Sequence, residues 1–197
     1  METMTKPAEP EQAEDEMARR VKSDRSAFAA LYDRYYPRIL KYCTRRLYSQ
    51  SVGEDLTSDV FLTAATKIDS FRGQSDGEFS QWLYTIATNK VNEYLRNFSR
   101  RKELLESAAQ TKRIGSGPTH DNTDHLDWPA VYEAILQLKP RDQALITLRY
   151  MQELPHEQIA GIVDLKPAAV RVALSRAMAQ LRERFNTDEP TRKGANP

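Results

Sequence analysis

Apolar residues between positions 24 and 102 recur at three- and four-residue intervals in three runs, the period of helices that bury one face. The first run begins near Asp24 and carries Phe28, Leu31, Tyr32, Tyr35, Ile39, Tyr42 and Leu47. Pro37 lies inside it, and a proline lacks the amide hydrogen that the preceding turn would use, so a kink or a division of the helix is expected there. Ser51 and Glu54 then have the spacing of a capping box, and Leu56, Val60, Phe61, Ala64, Ala65 and Ile68 follow as an apolar stripe. This predicts a second helix. The stretch FRGQSDG, from Phe71 to Gly77, has the composition of a loop, and Ser75 with Glu78 makes another capping box that opens a third helix running to Lys102. Residues 24–102 are thus expected to form an N-terminal helical domain.

Periodicity fades over residues 103–126, where GSGPTHDNTD marks a flexible linker. Beyond it, four shorter helical patterns fall at about 127–137, 141–152, 156–163 and 167–185. The last two are joined by the tight turn Val163-Asp164-Leu165-Lys166, the layout of a helix-turn-helix. In the final helix Val170, Leu174, Ala177 and Leu181 make a buried stripe, which turns Arg171, Ser175 and Arg176 outward. The small residues Ala168 and Ala169 would let the start of that helix approach DNA closely. The expected fold class is all-α, with two small helical domains, 24–102 and 127–185, on one linker, and with a disordered arm over 1–23 and tail over 186–197.

Charge sharpens this picture. The formal net charge is only +1, but residues 1–16 hold Glu2, Glu9, Glu11, Glu14, Asp15 and Glu16 against Lys6, an acidic arm expected to add nothing to a core. The basic residues gather elsewhere, as Lys90, Arg96, Arg100, Arg101 and Lys102, and again as Lys166, Arg171, Arg176, Arg182 and Arg184. Two separated basic patches suit two contacts with a polyanion. Cys43 is the single cysteine, so an internal disulfide is impossible and a packed thiol is expected. His120, His125 and His156 lack metal-ligand spacing, and Glu54 and Asp55 are accompanied by no nucleophile or phosphate-binding loop. No enzyme, metal or cofactor is expected. Neither a membrane span nor a signal peptide is apparent, which makes the cytoplasm the expected location.

The third helix, GEFSQWLYTIATNKVNEYLRNFSRRK, combines aromatic rings, the Asn89 amide and a basic end, the groups a single-strand nucleic-acid surface uses to stack, read and hold. EDLTSDVFLTAATKIDSFRG followed by FSQWLYTIATNKVNEYLR resembles region 2 of the extracytoplasmic-function (ECF) sigma factors of the sigma-70 family. LKPRDQALITLRYMQELPHEQIAGIVDLKPAAVRVALSRAMAQLRE resembles their region 4. The resemblance implies that Asp55, Leu56, Ser58, Asp59, Val60 and Phe61 face the clamp helices of the RNA polymerase β′ subunit, while region 4 meets the β flap. It implies capture of an unstacked −10 base by the loop from Phe71 and Arg72 to Phe79, with Asn89 reading it and Arg96, Arg100, Arg101 and Lys102 on phosphates. Trp82 is expected to be core instead. At the −35 element the implied contacts are Lys166, Ala168, Ala169, Arg171, Val172, Ser175 and Arg176, with Arg171 and Arg176 best suited to guanine or phosphate.

Departures from the family pattern bear on affinity and on the site read. Ser58 and Asp59 stand where glutamine and glutamate are usual, Glu93 where aspartate is common, and Ala173 where arginine is frequent. Pro155 and Lys166 replace serine caps, with Pro167 as a compensating first helical residue, and Asp164 holds a turn position often given to glycine. A linker of about 23 residues reaches about 75 Å when extended, enough for promoter elements about 50–70 Å apart. The two domains could equally fold on each other or on an inhibitor, and the family resemblance implies an anti-sigma factor. Two other readings compete: a conventional helix-turn-helix regulator that needs no polymerase, and a protein-binding adaptor of sigma-like fold. The first leaves the Trp82 helix unused, and Asn89, Arg96, Arg171 and Arg176 argue against the second.

Overall fold

The computed structural model describes residues 18–21, 24–109, 131 and 134–192, and every element among them is helical. Helix α1 spans Arg25–Leu47 and starts because the Asp24 carboxylate accepts the free Ser26 amide at 2.8 Å. Pro37 is exposed within it and neither divides nor ends it. The helix closes at Tyr48, which adopts a left-handed φ of 59° and returns its amide to the Thr44 carbonyl. Helix α2, Gln50–Thr66, is capped by Ser49, whose hydroxyl accepts from Val52, so the expected Ser51 cap lies two residues too late. Glu54 instead accepts from the Gln50 amide group at 2.6 Å.

A short 3-10 turn, Ile68–Ser70, and a loop lead into α3, Asp76–Ala109. Here the expected capping box forms: the Glu78 amide donates to the Ser75 hydroxyl at 3.2 Å, and the Ser75 amide donates to the Glu78 carboxylate at 3.2 Å. The helix continues past Lys102, so residues 103–109 belong to it and not to a linker; the rest of the expected linker, 110–126, lies outside the described residues. The arm also differs from expectation at its end. Residues 18–20 are helical, and Ala18 and Val21, 1% and 3% exposed, are part of the core. Arg19 there donates to the Gln74 carbonyl at 3.1 Å; residues 1–17 are outside the described set.

The N-terminal domain packs α1, α2 and α3 around Leu31, Tyr35, Ile39, Tyr42, Val60, Phe79, Leu83, Tyr84 and Val91. Phe71 leaves the loop to meet Phe79 edge-on at 5.5 Å and Trp82 at 5.3 Å, so the half-buried Trp82 completes the core. Two buried tyrosine hydroxyls find partners: Tyr42 with Thr88 at 2.9 Å, and Tyr35 donating to the Asp76 carboxylate at 2.7 Å. Gly53 lets α2 approach α1, since a Cβ there would strike the Thr44 backbone.

The C-terminal domain comprises a helical turn at 134–136, α4 (Pro140–Ile146) passing into a π-helical turn (Thr147–Met151), α5 (His156–Ile162) and α6 (Pro167–Arg192). Helix α5 begins after Pro155 without a side-chain cap, and Asp164 in the following turn takes a left-handed φ of 53°. Because α6 reaches Arg192, residues 186–192 of the expected tail are helical; 193–197 are outside the described residues. The two domains touch directly. Leu145, Leu148, Ile159, Ala160 and Ile162 of the C-terminal domain join the same buried cluster as the N-terminal core, chiefly where α5 lies on α3.

Candidate nucleic-acid interface

Helix α2 divides the residues expected to meet a protein partner into two faces. Leu56, Val60 and Phe61 are buried against α1 and α3, while Asp55, Ser58 and Asp59 are exposed. The buried three therefore hold the helix in place, with Phe61 packed edge-on against Tyr32 at 4.7 Å. Leu62, 65% exposed, completes the outer face at the spacing 55, 58, 59, 62. Sequence reasoning passed over Leu62 although its helical position pointed to this face. An exposed leucine between carboxylates fits a partner that is basic at its edges and apolar at its centre.

Helix α3 has a similar division. Phe71 is 2% exposed and closed in by aromatic rings, so its own ring is not presented to a base. Arg72 is exposed and donates to the Asp69 carbonyl at 2.7 Å. Asn89, Arg96 and Arg100 are exposed at steps of seven and four and share one face, with Glu93 between them, and Arg101 is exposed beside it. Asn89 lies two turns beyond Trp82, about 10 Å along the axis, which separates it from the Phe71 loop. Lys102 continues the helix, and its side chain is outside the described residues. Phe98, 50% exposed and stacked on Tyr94 at 6.3 Å, adds an aromatic surface to this basic end.

In the C-terminal domain Val170, Leu174, Ala177 and Leu181 are all buried, as their spacing predicts. That fixes the rotation of α6. Ala168, Arg171, Val172, Ser175 and Arg176 are exposed, with Val172 50% exposed, and Ala169 is partly covered. Lys166 is exposed immediately before the helix. The arrangement presents two guanidinium groups, a hydroxyl and an apolar contact beside a small-residue N-terminus, the groups that read base edges in a major groove.

Between the domains lies a feature that the sequence pattern did not single out. Arg46, in the last turn of α1, is 2% exposed and donates to the Gln143 side-chain oxygen of α4 and to the Asn92 oxygen of α3, each at 2.8 Å. Gln143 in turn donates to the Leu136 and Leu138 carbonyls at 3.0 and 2.9 Å. Tyr84 donates to the Gln152 oxygen at 2.9 Å, also across the interface. Gly161 of α5 faces the flexible end of the Gln81 side chain of α3, which a Cβ there would displace. The signal for Arg46 was its place on the buried stripe Ile39, Cys43, Arg46, at steps of four and three.

Two family models match this chain, Sigma-70 region 2 over residues 31–101 and Sigma-70, region 4 over residues 129–181. The RNA polymerase sigma factor YlaC of Bacillus subtilis is 31% identical over 161 residues, covering 81% of this chain and 92% of that protein. The chain belongs to the sigma-70 family, as an ECF sigma factor. The ECF sigma factor BldN of Streptomyces coelicolor is 30% identical over 156 residues, covering 79% of this chain, which spans 59% of BldN's length. Among solved structures, the sigma factor RpoE in complex with the anti-sigma factor NepR from Bartonella quintana shares the fold at TM-score 0.62 and 23% identity, over 82% of this chain and 98% of that one. Sigma factors are not enzymes. Among the described residues no helix of this sigma factor is long and apolar enough to cross a membrane.

Proposed function

We propose that this ECF sigma factor binds core RNA polymerase through the exposed α2 face, contacts the −10 element with α3 and reads the −35 element with α6. One observation carries the reading: α6 rests on a buried stripe and turns Arg171, Val172, Ser175 and Arg176 outward together, while the other domain turns Asn89, Arg96 and Arg100 outward on one face of α3. The docking residues in this reading are Asp55, Ser58, Asp59 and Leu62; Leu56, Val60 and Phe61 set their position. The protein acts in the cytoplasm, where polymerase and promoter are, and supplies recognition and melting without catalysis of its own.

Promoter engagement requires a change of arrangement. Elements separated by one and a half to two helical turns of DNA lie about 50–70 Å apart. Two domains that share a buried cluster across α3 and α5 cannot meet both at once. The closed form is therefore the waiting state, and an anti-sigma factor is a fitting partner for it; the fold neighbour RpoE is itself in complex with the anti-sigma factor NepR.

The test is promoter-dependent transcription with purified core enzyme, run beside core pull-down. The chain should support specific initiation, and Asp55→Lys with Asp59→Lys should weaken core capture while leaving helical content unchanged, since like charges against a basic partner cost several kcal/mol. Undiminished capture by the folded double variant would remove the α2 docking face. Specific DNA binding without any need for polymerase would instead favour the helix-turn-helix regulator.

A further inference from the structure

We propose that Arg46 makes the closed arrangement a poised latch, held shut by apolar contact and opposed by a buried cation that has been given no anion. Its two guanidinium hydrogen bonds go to the neutral amides of Gln143 and Asn92, and its Nε has no partner. Among the described residues no carboxylate stands within 4.0 Å of it. Its other close neighbours are the Tyr42 hydroxyl and the Cys43 thiol, both of which burial holds in their neutral forms. The carbonyl end of α1 offers only a partial negative charge.

A guanidinium desolvated without a counter-ion works against the contact that buries it, because separating the domains withdraws Gln143 and lets water reach the charge. The apolar contact of Ile159, Ala160 and Ile162 with the N-terminal core works the other way. The latch is this opposition. It keeps the DNA-binding domains together when nothing else is bound, yet leaves them separable by a partner that grips only one. Asn92 sets the balance, since an aspartate there would give the buried charge its missing anion without disturbing Gln143, which is engaged with its own backbone.

The mechanism rests on the sigma reading for its consequence and on the structure alone for the latch, so two measurements separate them. Dyes on Lys67→Cys and Gln180→Cys, both exposed positions, report the distance between the domains, and the buried Cys43 does not compete for label. Core capture is measured on the unlabelled chain. Asn92→Asp should shift the population toward the closed distance about tenfold and lower core capture correspondingly. In an Arg46→Met background Asn92→Asp should lose its closing effect, which separates a charge latch from mere packing.

If Asn92→Asp leaves the distances unchanged, opens the chain, or closes it equally without Arg46, the latch is refuted. Closure with undiminished core capture would overturn its role in controlling polymerase access. Failure of the unaltered chain to capture core at all would count against the sigma reading, while the distance series would still decide the latch.

Discussion

The two domains are built to different standards. The N-terminal core is dense with aromatic rings, Tyr35, Tyr42, Phe61, Phe71, Phe79 and Tyr84, and it pairs the Tyr35 and Tyr42 hydroxyls in its interior. Among the described residues of the C-terminal domain the buried apolar side chains are aliphatic, and they fall into two groups. Ala134, Ile135, Leu138, Ile146, Ala177 and Leu181 form a small cluster of its own, whereas Leu145, Leu148, Ile159, Val170 and Leu174 belong to the cluster continuous with the N-terminal domain. A domain this small buries little surface for its size, so leaning on a neighbour is a substantial part of its stability. The N-terminal half supplies most of the shared cluster. The C-terminal half leans on it for part of its buried surface.

The largest expected effect tests that asymmetry. Phe79→Ala removes a ring that touches Tyr35, Phe71 and Trp82 and should cost about 3–5 kcal/mol. Because the C-terminal domain rests on the same cluster, both halves should lose stability together. Leu181→Ala, in the smaller cluster, should loosen the C-terminal domain alone. Urea unfolding followed by Trp82 fluorescence in a Trp128→Phe background reports the N-terminal half separately from the helical signal of the whole chain. A Leu181→Ala variant that shifts the Trp82 transition as far as Phe79→Ala does would show the domains to be equal partners.

Alkali should bear on the N-terminal half first. Burial pushes the Cys43 thiol from 9.0 up to about 11, against smaller downward pulls from the Thr57 hydrogen bond and the Arg46 charge. Burial likewise raises Tyr35, Tyr42 and Tyr84, all in the N-terminal half. A raised folded pKa means that the unfolded chain loses its proton first. The stability from the neutral thiol is therefore complete below pH 9 and lost as pH climbs through about 11, for about 2–3 kcal/mol in all. Unfolding free energies at pH 8 and 10 check this. Cys43→Ala, less stable at pH 8 through its cavity, should lose about 1 kcal/mol less than the unaltered chain between those pH values. Equal losses would place the alkaline sensitivity in the tyrosines.

Much of this was legible in the sequence, and the rest was not for identifiable reasons. The rotation of α6 followed from Val170, Leu174, Ala177 and Leu181 because an amphipathic helix has one way to bury such a stripe. The Ser75–Glu78 box was legible because both partners are local. The α2 cap was misplaced because Ser49 and Ser51 both offer a hydroxyl, and the choice depends on where Tyr48 ends α1. Leu56, Val60 and Phe61 carry the family resemblance on α2, yet burial removes their side chains from the surface. Resemblance marks a segment, while exposure selects its residues. Arg46 was hidden because its partners Asn92 and Gln143 lie 46 and 97 residues away, beyond any local rule.

On the C-terminal domain, recognition and stability should separate cleanly. Arg171 and Arg176 are exposed and form no part of either core, so Arg171→Ala and Arg176→Ala should leave the unfolding midpoint unchanged. Their effect belongs on DNA. Where the arginine grips a guanine with two hydrogen bonds, its removal should cost about 1–3 kcal/mol and relax preference at one base pair; where it grips a phosphate, its removal should weaken all sequences alike. Holoenzyme binding to a series of −35 variants distinguishes the two. Unaltered binding and preference in both variants would mean that α6 meets DNA by another face.

The smallest expected effects compare how the two domains start a helix. Helix α3 opens on a reciprocal box between Ser75 and Glu78, while α5 opens on Pro155, which offers its first amides no side-chain acceptor. Ser75→Ala should cost about 1 kcal/mol, because the Glu78 amide loses its acceptor at an exposed helix end. Pro155→Ser should move the C-terminal domain the opposite way by up to about 1 kcal/mol, since its backbone is already extended at φ −69° and ψ 155°, a conformation serine adopts readily at an N-cap. Part of that gain is offset by the greater freedom of serine in the unfolded chain. Thermal unfolding of the two variants, followed by Trp82 fluorescence for the first and by the helical signal of the whole chain for the second, gives the comparison directly. A Pro155→Ser variant no more stable than the unaltered chain would mean that rigidity at residue 155 already compensates the missing cap, and that the C-terminal domain leans on its neighbour because of its divided core alone.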